Sequence, residues 1–205
     1  MPVCRPIPGL RMNNESVEAC INRCLRGDQT SYAALYEHFA PVVYRMCYSL
    51  LLNREDAEDV TQETFVYAFR NIRRYDGSRS AFKTWLFTIA ICRCRNLYRR
   101  SRHEVVDIAG LIQHTLHAPR ADMPEAQASQ RAAQDAVQQA LRSLSPRLRE
   151  AVVLRYGHGL TYREMAEVIG CPPKTAESRV RLAHEALRDL LHTQGQSLLE
   201  ELVSV

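Results

Sequence analysis

The chain has 205 residues, with 27 Lys and Arg against 23 Asp and Glu, and its net charge of +4 is too mild to mark a nucleic-acid binder by itself. Seven cysteines are an odd number for a disulfide framework, and there is no signal-peptide stretch, so a reducing cytoplasm is the expected compartment. No run approaches the roughly 18 apolar residues of a membrane span, so direct membrane insertion is not expected.

Residues 15–27 read as a short amphipathic helix, with Val17, Cys20, Ile21 and Leu25 on one face and Gly27 closing it. Asp28 or Ser31 caps a second helix, in which Tyr32, Leu35, Tyr36, Phe39, Val42, Val43, Met46 and Leu50 recur at helical spacing. Pro41 inside it predicts a kink or a break. A third helix opens at Asn53-Arg54-Glu55-Asp56 and carries Ala57, Val60, Phe65, Ala68, Phe69 and Ile72 inward. Asp56, Asp59, Gln62, Glu63 and Val66 fall largely on another face. Tyr75-Asp76-Gly77-Ser78-Arg79 reads as a turn whose Asp-Gly pair supplies a positive backbone angle. The fourth helix, from Ser80 to about Arg102, has Phe82, Leu86, Ile89, Ala90 and Leu97 as its buried stripe. Together these segments predict a compact all-helical bundle.

Between about His103 and Ala133 the pattern turns polar and proline-containing, which reads as a linker with some transient helix. Helicity resumes from Gln134 with Val137, Ala140, Leu141 and Leu144, and Ser145-Pro146 opens a further helix by placing proline in its first turn. That helix carries Leu148, Val152 and Leu154 and ends at Gly157 to Gly159. Thr161 and Glu164 then form a capping box, Gly170 supplies the stop, and Pro172 or Pro173 begins the next helix. In this last helix Ala176, Val180, Ala183 and Leu187 make the buried stripe, while Lys174, Glu177, Ser178 and Arg181 face outward. A small residue, Ala166, followed by a glycine stop and a helix with a polar N-terminal half is the pattern of a helix-turn-helix, whose second helix enters a major groove. The fold class expected is all-α, two small helical domains joined by a linker.

Charge is sharply partitioned in the first bundle. Arg54 to Glu63 is net acidic, whereas Arg70 to Arg102 holds ten basic residues against the single Asp76. Arg93, Arg95, Arg99 and Arg100 lie on one helix with Asn96 and Tyr98 interleaved and Trp85 nearer the loop. Arginines position phosphates, and an aromatic-flanked loop such as Tyr75 to Ser80 can hold an unstacked base. An acidic face beside a basic one suggests a protein partner as well as DNA.

With these residues in hand, the chain resembles the bacterial extracytoplasmic-function (ECF) sigma factors. Asp56-Ala57-Glu58-Asp59-Val60-Thr61-Gln62-Glu63-Thr64-Phe65 resembles the family's signature for docking on the polymerase clamp helices. Phe82-Lys83-Thr84-Trp85-Leu86, Ile89-Ala90, Asn96 and Arg99-Arg100 resemble the stretch that melts and reads the −10 element. The resemblance implies an N-terminal extension (1–30), domain two (31–102), a linker (103–133), domain four (134–193) and a tail (194–205). By the same likeness Asp56, Asp59, Gln62 and Glu63 bind core RNA polymerase at the β′ clamp helices, with domain four on the β flap. Tyr75, Asp76, Gly77, Ser78, Arg79 and Ser80 form the loop that captures a flipped base, and Lys83, Trp85, Arg93, Asn96, Arg99 and Arg100 serve the −10 DNA. Lys174, Thr175, Glu177, Ser178, Arg179 and Arg181 meet the −35 element. Glu177 and Leu182 stand where many relatives carry basic residues, a departure that bears on the strength and sequence of −35 contact. An anti-sigma factor is an implied partner.

No nucleophile with its base, phosphate-cradling glycine loop or convincing metal-ligand cluster accompanies these motifs, so the expected role is binding without catalysis, cofactor or metal. Cys20 and Cys24, four apart on one helical face, leave a redox or metal switch conceivable, with small apolar filler as the plainer reading. Cys92 and Cys94 point to different sides of their helix, and His114 and His117 fall in the polar linker. The rival readings are a stand-alone DNA-binding regulator with a sensor or dimerisation bundle, and a nucleic-acid-modifying enzyme.

Overall fold

A computed structural model describes residues 14–107 and 136–203. The greater part of the expected linker, with His114 and His117, lies outside the described residues. Among the described residues every regular element is helical, and no strand occurs.

Helix α1 (Asn14–Cys24) buries Val17, Cys20, Ile21 and Cys24. The chain then turns at Gly27, whose φ of 89° suits a residue without a Cβ, and Leu25 is left exposed rather than continuing the apolar face. Helix α2 (Gln29–Leu51) is capped by Asp28, which accepts from the Thr30 N–H at 3.1 Å and the Ser31 hydroxyl at 2.6 Å. Pro41 does not break it. Pro41 and Glu37, whose carbonyl loses its helical partner, are both on the exposed face, where water can replace the bond.

Helix α3 (Arg54–Arg70) starts on Asn53, which accepts from the Asp56 N–H. Its buried Thr61 and Thr64 return their hydroxyls to the carbonyls of Ala57 and Val60, so neither hydroxyl is left as an orphan donor in the core. After a 3-10 turn at Ile72–Arg74 comes the Tyr75–Ser80 loop. Gly77 does not take the positive φ expected of Asp-Gly. Instead the Asp76 carboxylate accepts from the Ser78 N–H (3.0 Å) and hydroxyl (2.7 Å) and shapes the turn through its side chain. Helix α4 (Phe82–Asp107) packs Phe82, Leu86, Phe87, Ala90, Ile91 and Cys94 against α2 and α3.

The C-terminal half is built from α5 (136–143), α6 (Pro146–Val152) running into a π-helical turn (Val153–Gly157), α7 (Tyr162–Ile169) and α8 (Pro173–Val203). The capping box forms reciprocally: the Thr161 N–H donates to Glu164 Oε2 at 2.8 Å, and the Glu164 N–H to Thr161 Oγ1 at 3.3 Å. Gly170 closes α7 at φ 72°, and Pro173 opens α8. Met165, Val168, Ile169, Ala176 and Val180 join the helix-turn-helix to the rest of the core. The two halves do not stand apart. Helix α4 lies against α7, and α2 against α6 and the π-helical turn, so one apolar core runs through both.

Candidate nucleic-acid and protein-docking surfaces

Asp59, Gln62 and Glu63 stand exposed along α3, with Asp56 half-buried, and Val66 and Tyr67 beside them are 50% and 41% exposed. The basic half of α4 borders this face directly. Arg93 reaches across to pair with Glu63 at 2.5 Å and lays its guanidinium 5.4 Å from the Tyr67 ring centroid. Its Nε is buried without a hydrogen-bond partner among the described residues. The acidic and basic sets thus line a single cleft, Asp56, Asp59 and Glu63 on one wall and Arg93, Asn96 and Arg100 on the other. Asn96, Arg99 and Arg100 are exposed, and the Arg99 guanidinium donates to the Asn96 side-chain oxygen.

The Tyr75–Ser80 loop rests on an aromatic floor. Tyr75, Phe82 and Trp85 meet with ring centroids 5.2 to 5.6 Å apart, and the Tyr75 hydroxyl donates to the Ser80 carbonyl at 3.1 Å. Burial, and then the neighbouring Glu18 and Asp76 carboxylates, push the Tyr75 hydroxyl above its ordinary pKa. Asp76, Gly77, Ser78 and Arg79 are exposed at the tip, with Arg73 and Arg74 exposed just before it. Lys83 is half-buried and turned away from the loop: its Nζ donates to the His158 carbonyl at 3.4 Å and sits 5.7 Å from the Phe87 ring centroid.

On α8, Lys174, Glu177, Ser178 and Arg181 are exposed, and Arg181 is paired with Glu185 at 2.7 Å. Thr175 and Arg179 are half-buried, and one terminal nitrogen of Arg179 is buried without a hydrogen-bond partner among the described residues. Glu177 keeps an acid on the outward face. Leu182 is 45% exposed, and Tyr156 stacks on His184 at 5.1 Å.

These surfaces sit on segments that match known families. The Sigma-70 region 2 model matches residues 35–104 and the Sigma-70 region 4 model matches residues 134–187. The chain is 29% identical to the ECF RNA polymerase sigma factor SigW of Bacillus subtilis, over 83% of this chain and 94% of that protein. It is 31% identical to the ECF RNA polymerase sigma-E factor of Salmonella typhimurium, over 83% and 91% of the two chains. This chain belongs to the ECF sigma factors. Its fold is similar to that of the sigma factor RpoE of Bartonella quintana, solved in complex with the anti-sigma factor NepR. That match has a TM-score of 0.62 and 27% identity over 78% of this chain and 96% of the other. As a sigma factor it is a non-catalytic specificity subunit of RNA polymerase that directs promoter recognition.

Sequence reasoning missed the residues that hold the two halves of this sigma factor together. Arg95 makes a two-pronged pair with Glu150, Nε to Oε1 at 2.8 Å and a terminal nitrogen to Oε2 at 2.6 Å, while its other terminal nitrogen donates to the Ile169 carbonyl. Glu150 is the one buried carboxylate among the described residues. Arg149, also buried, donates to the carbonyls of Leu141, Arg142 and Leu144 in its own half and of Leu50 in the other. The Tyr98 hydroxyl shares the Leu50 carbonyl, and burial pushes that phenol up to about 12. His158 packs edge-on to Phe87 at 4.8 Å. Burial first, then Lys83 and Arg45, push its imidazole down to about 4. The only sequence signal was a pair of charges, Arg149-Glu150, abutting the apolar run Ala151 to Leu154.

Cys20 and Cys24 both point into the core, and burial pushes the Cys24 thiol up to about 11, which keeps it protonated. Among the described residues no group of three or more His, Cys, Asp or Glu is placed to hold a metal ion, and no helix is long and apolar enough to cross a membrane.

Proposed function

We propose that this sigma factor works in the cytoplasm by docking Asp56, Asp59, Gln62 and Glu63 on the β′ clamp helices while the adjoining surface of α4 takes the −10 DNA. Residues 31–102 act as domain two and 134–193 as domain four, the latter engaging the β flap and, through Lys174, Thr175, Glu177, Ser178, Arg179 and Arg181, the −35 element. The observation that carries this reading is the shared cleft of α3 and α4. A polymerase surface seated on the acids lies one helix width from Asn96, Arg99 and Arg100, so docking and DNA delivery are geometrically linked. Arg93, counted with the DNA set from the sequence, is neutralised by Glu63 and bridges the two surfaces. The Tyr75–Ser80 loop, with its aromatic floor and exposed arginines, holds an unstacked base of the −10 element.

The packed halves describe a resting form. The −10 and −35 elements lie about 25 base pairs apart by their positions, or roughly 85 Å at 3.4 Å per pair. Two packed domains of this size, each with a radius of gyration near 11 Å, span on the order of 50 Å. The halves must part on the promoter, and Lys83 is released from His158 when they do. An anti-sigma factor restrains the protein, a reading supported by the similar sigma factor RpoE of Bartonella quintana having been solved in complex with the anti-sigma factor NepR.

The test is run-off transcription with purified bacterial core polymerase, the full-length protein and sheared genomic DNA. Discrete starts sharing −35 and −10 elements are expected, and Asp59→Lys should abolish them while leaving the fold intact. Tight site-specific DNA binding without polymerase, insensitive to Asp59→Lys, would instead mark a stand-alone regulator.

A further inference from the structure

Helix α1 precedes both family-matched segments, yet it touches the loop assigned to base capture. Its placement is firm: Val17, Cys20, Ile21 and Cys24 are buried, the Arg23 guanidinium donates to the Ser31 hydroxyl, and the Tyr32 hydroxyl donates to the Cys24 carbonyl. The exposed Glu18 projects from this docked helix toward the loop tip. A Cβ built on Gly77 would stand 3.7 Å from Glu18 Oε1 and 3.4 Å from the Tyr75 hydroxyl, so a carboxylate and a phenol flank the same point.

Two carboxylates are near that point, and only one is spoken for. Asp76 is engaged by Ser78, whereas no hydrogen-bond donor among the described residues holds Glu18. The exposed Arg73, Arg74 and Arg79 flank Tyr75–Ser78 along the chain and bring positive charge to the loop for a phosphate backbone.

We propose that Glu18 is a specificity-determining residue of the base-capturing loop, accepting a hydrogen bond from the exocyclic amino group of the captured base and thereby disfavouring thymine. The proposal rests on the reading that this loop holds an unstacked base. A carboxylate only accepts hydrogen bonds, so it matches the amino groups of cytosine, adenine and guanine. Thymine flanks its single N3–H with two carbonyl oxygens, which a carboxylate repels. The half-buried Tyr75 and Trp85, backed by the buried Phe82, supply the apolar surface beneath, which every base can use and which therefore does not discriminate.

The experiment uses holoenzyme made from core polymerase and the full-length protein. Each −10 position is replaced in turn by 2-aminopurine to find the one whose fluorescence rises on unstacking. Open-complex formation is then measured on four promoters that differ only at that position. The wild type should prefer the amino-bearing bases over thymine by about fivefold, one good directional hydrogen bond. Glu18→Gln and Glu18→Ala should bring the ratio below about twofold, by the same argument. Gly77→Ala is the loop control. Its φ lies outside the left-handed region and its methyl meets both flanking groups at ordinary contact distance, so the variant folds while the gap is filled and capture of every base falls. Absence of unstacking at any position, with Gly77→Ala indifferent, overturns the proposal together with the loop's role. Unstacking that Gly77→Ala weakens, with the wild-type base ranking retained in Glu18→Gln, overturns the role of Glu18 alone.

Discussion

Replacing Arg95 by alanine should strip the buried Glu150 carboxylate of its two-pronged partner, and the size of the loss reports how firmly the halves are closed. Glu150's side chain is 3% exposed and Arg95's is 38%. Breaking a buried ion pair from one side costs about 3–5 kcal/mol because a charge is left uncompensated. With Arg95 more than a third exposed, solvent already screens part of that interaction, and about 2–4 kcal/mol is the expectation if the halves stay together. They have an escape, however: by separating they return Glu150 to water, so the measured loss cannot exceed the free energy of closing. Arg95→Met combined with Glu150→Leu keeps the volume and removes both charges, and should recover most of the loss. The assay is a double-mutant cycle by urea unfolding, with small-angle scattering on each variant to detect opening. Additive losses with a coupling under about 0.5 kcal/mol, and an unchanged radius of gyration throughout, would refute the buried pair as a fastener of the closed form.

Acidification should loosen the same contact. His158 has an ordinary pKa of 6.5 that falls to about 4 in the closed protein, so below pH 6.5 the opened or unfolded chain binds the extra proton. Stability is therefore full above pH 6.5 and declines toward pH 4, by at most about 2 kcal/mol at pH 5, and His158→Gln should flatten that slope in pH-dependent unfolding. Gly170→Ala meets no atom within 4 Å but forces a Cβ into φ 72°, so thermal or chemical denaturation should show a cost of about 1–2 kcal/mol from the backbone alone. Thr161→Ala removes one arm of the capping box and should cost about 1 kcal/mol in the same assay, with binding of −35 DNA by the holoenzyme weakened as α7 frays.

The features legible in the sequence are those whose cause is local. Asp28 before a helical run, Thr161 three residues ahead of Glu164, and Gly170 after Ile169 each act within one turn of chain, and each does what its spacing foretold. Most of the buried stripes of α3 and α8 follow for the same reason, since periodicity needs no knowledge of the partner helix, although Phe69 and Leu187 are only half-buried. Local signals failed where two of them competed. Pro41 forbids one helical hydrogen bond, yet tertiary packing on the opposite face carries α2 through it, and at Asp76-Gly77 the aspartate side chain satisfies the turn before the glycine's freedom is needed. The pairings of Arg95 with Glu150, Lys83 with the His158 carbonyl and Arg93 with Glu63 span 55, 75 and 30 residues. No periodicity encodes them, so basic residues that read as uniformly available for phosphate turn out to be differently occupied.

Arg149 shows how such a joint can be undone without damage. Its guanidinium gathers carbonyls at the C-terminal end of α5, where helix dipoles leave partial negative charge, and through one terminal nitrogen borrows the Leu50 carbonyl and the Tyr98 hydroxyl from the other half. When the halves part, the cation keeps its cradle, and Leu50 keeps the Tyr98 hydroxyl while water fills the vacated lone pair. The terminal nitrogen of Arg149 that loses Leu50 and Tyr98, and the parted Arg95 and Glu150 charges, are taken up by water at the newly exposed faces. If the closed arrangement is the resting form, the seam is a pin that can be withdrawn and reseated, and the protein can cycle between storage and promoter-bound forms without melting either domain.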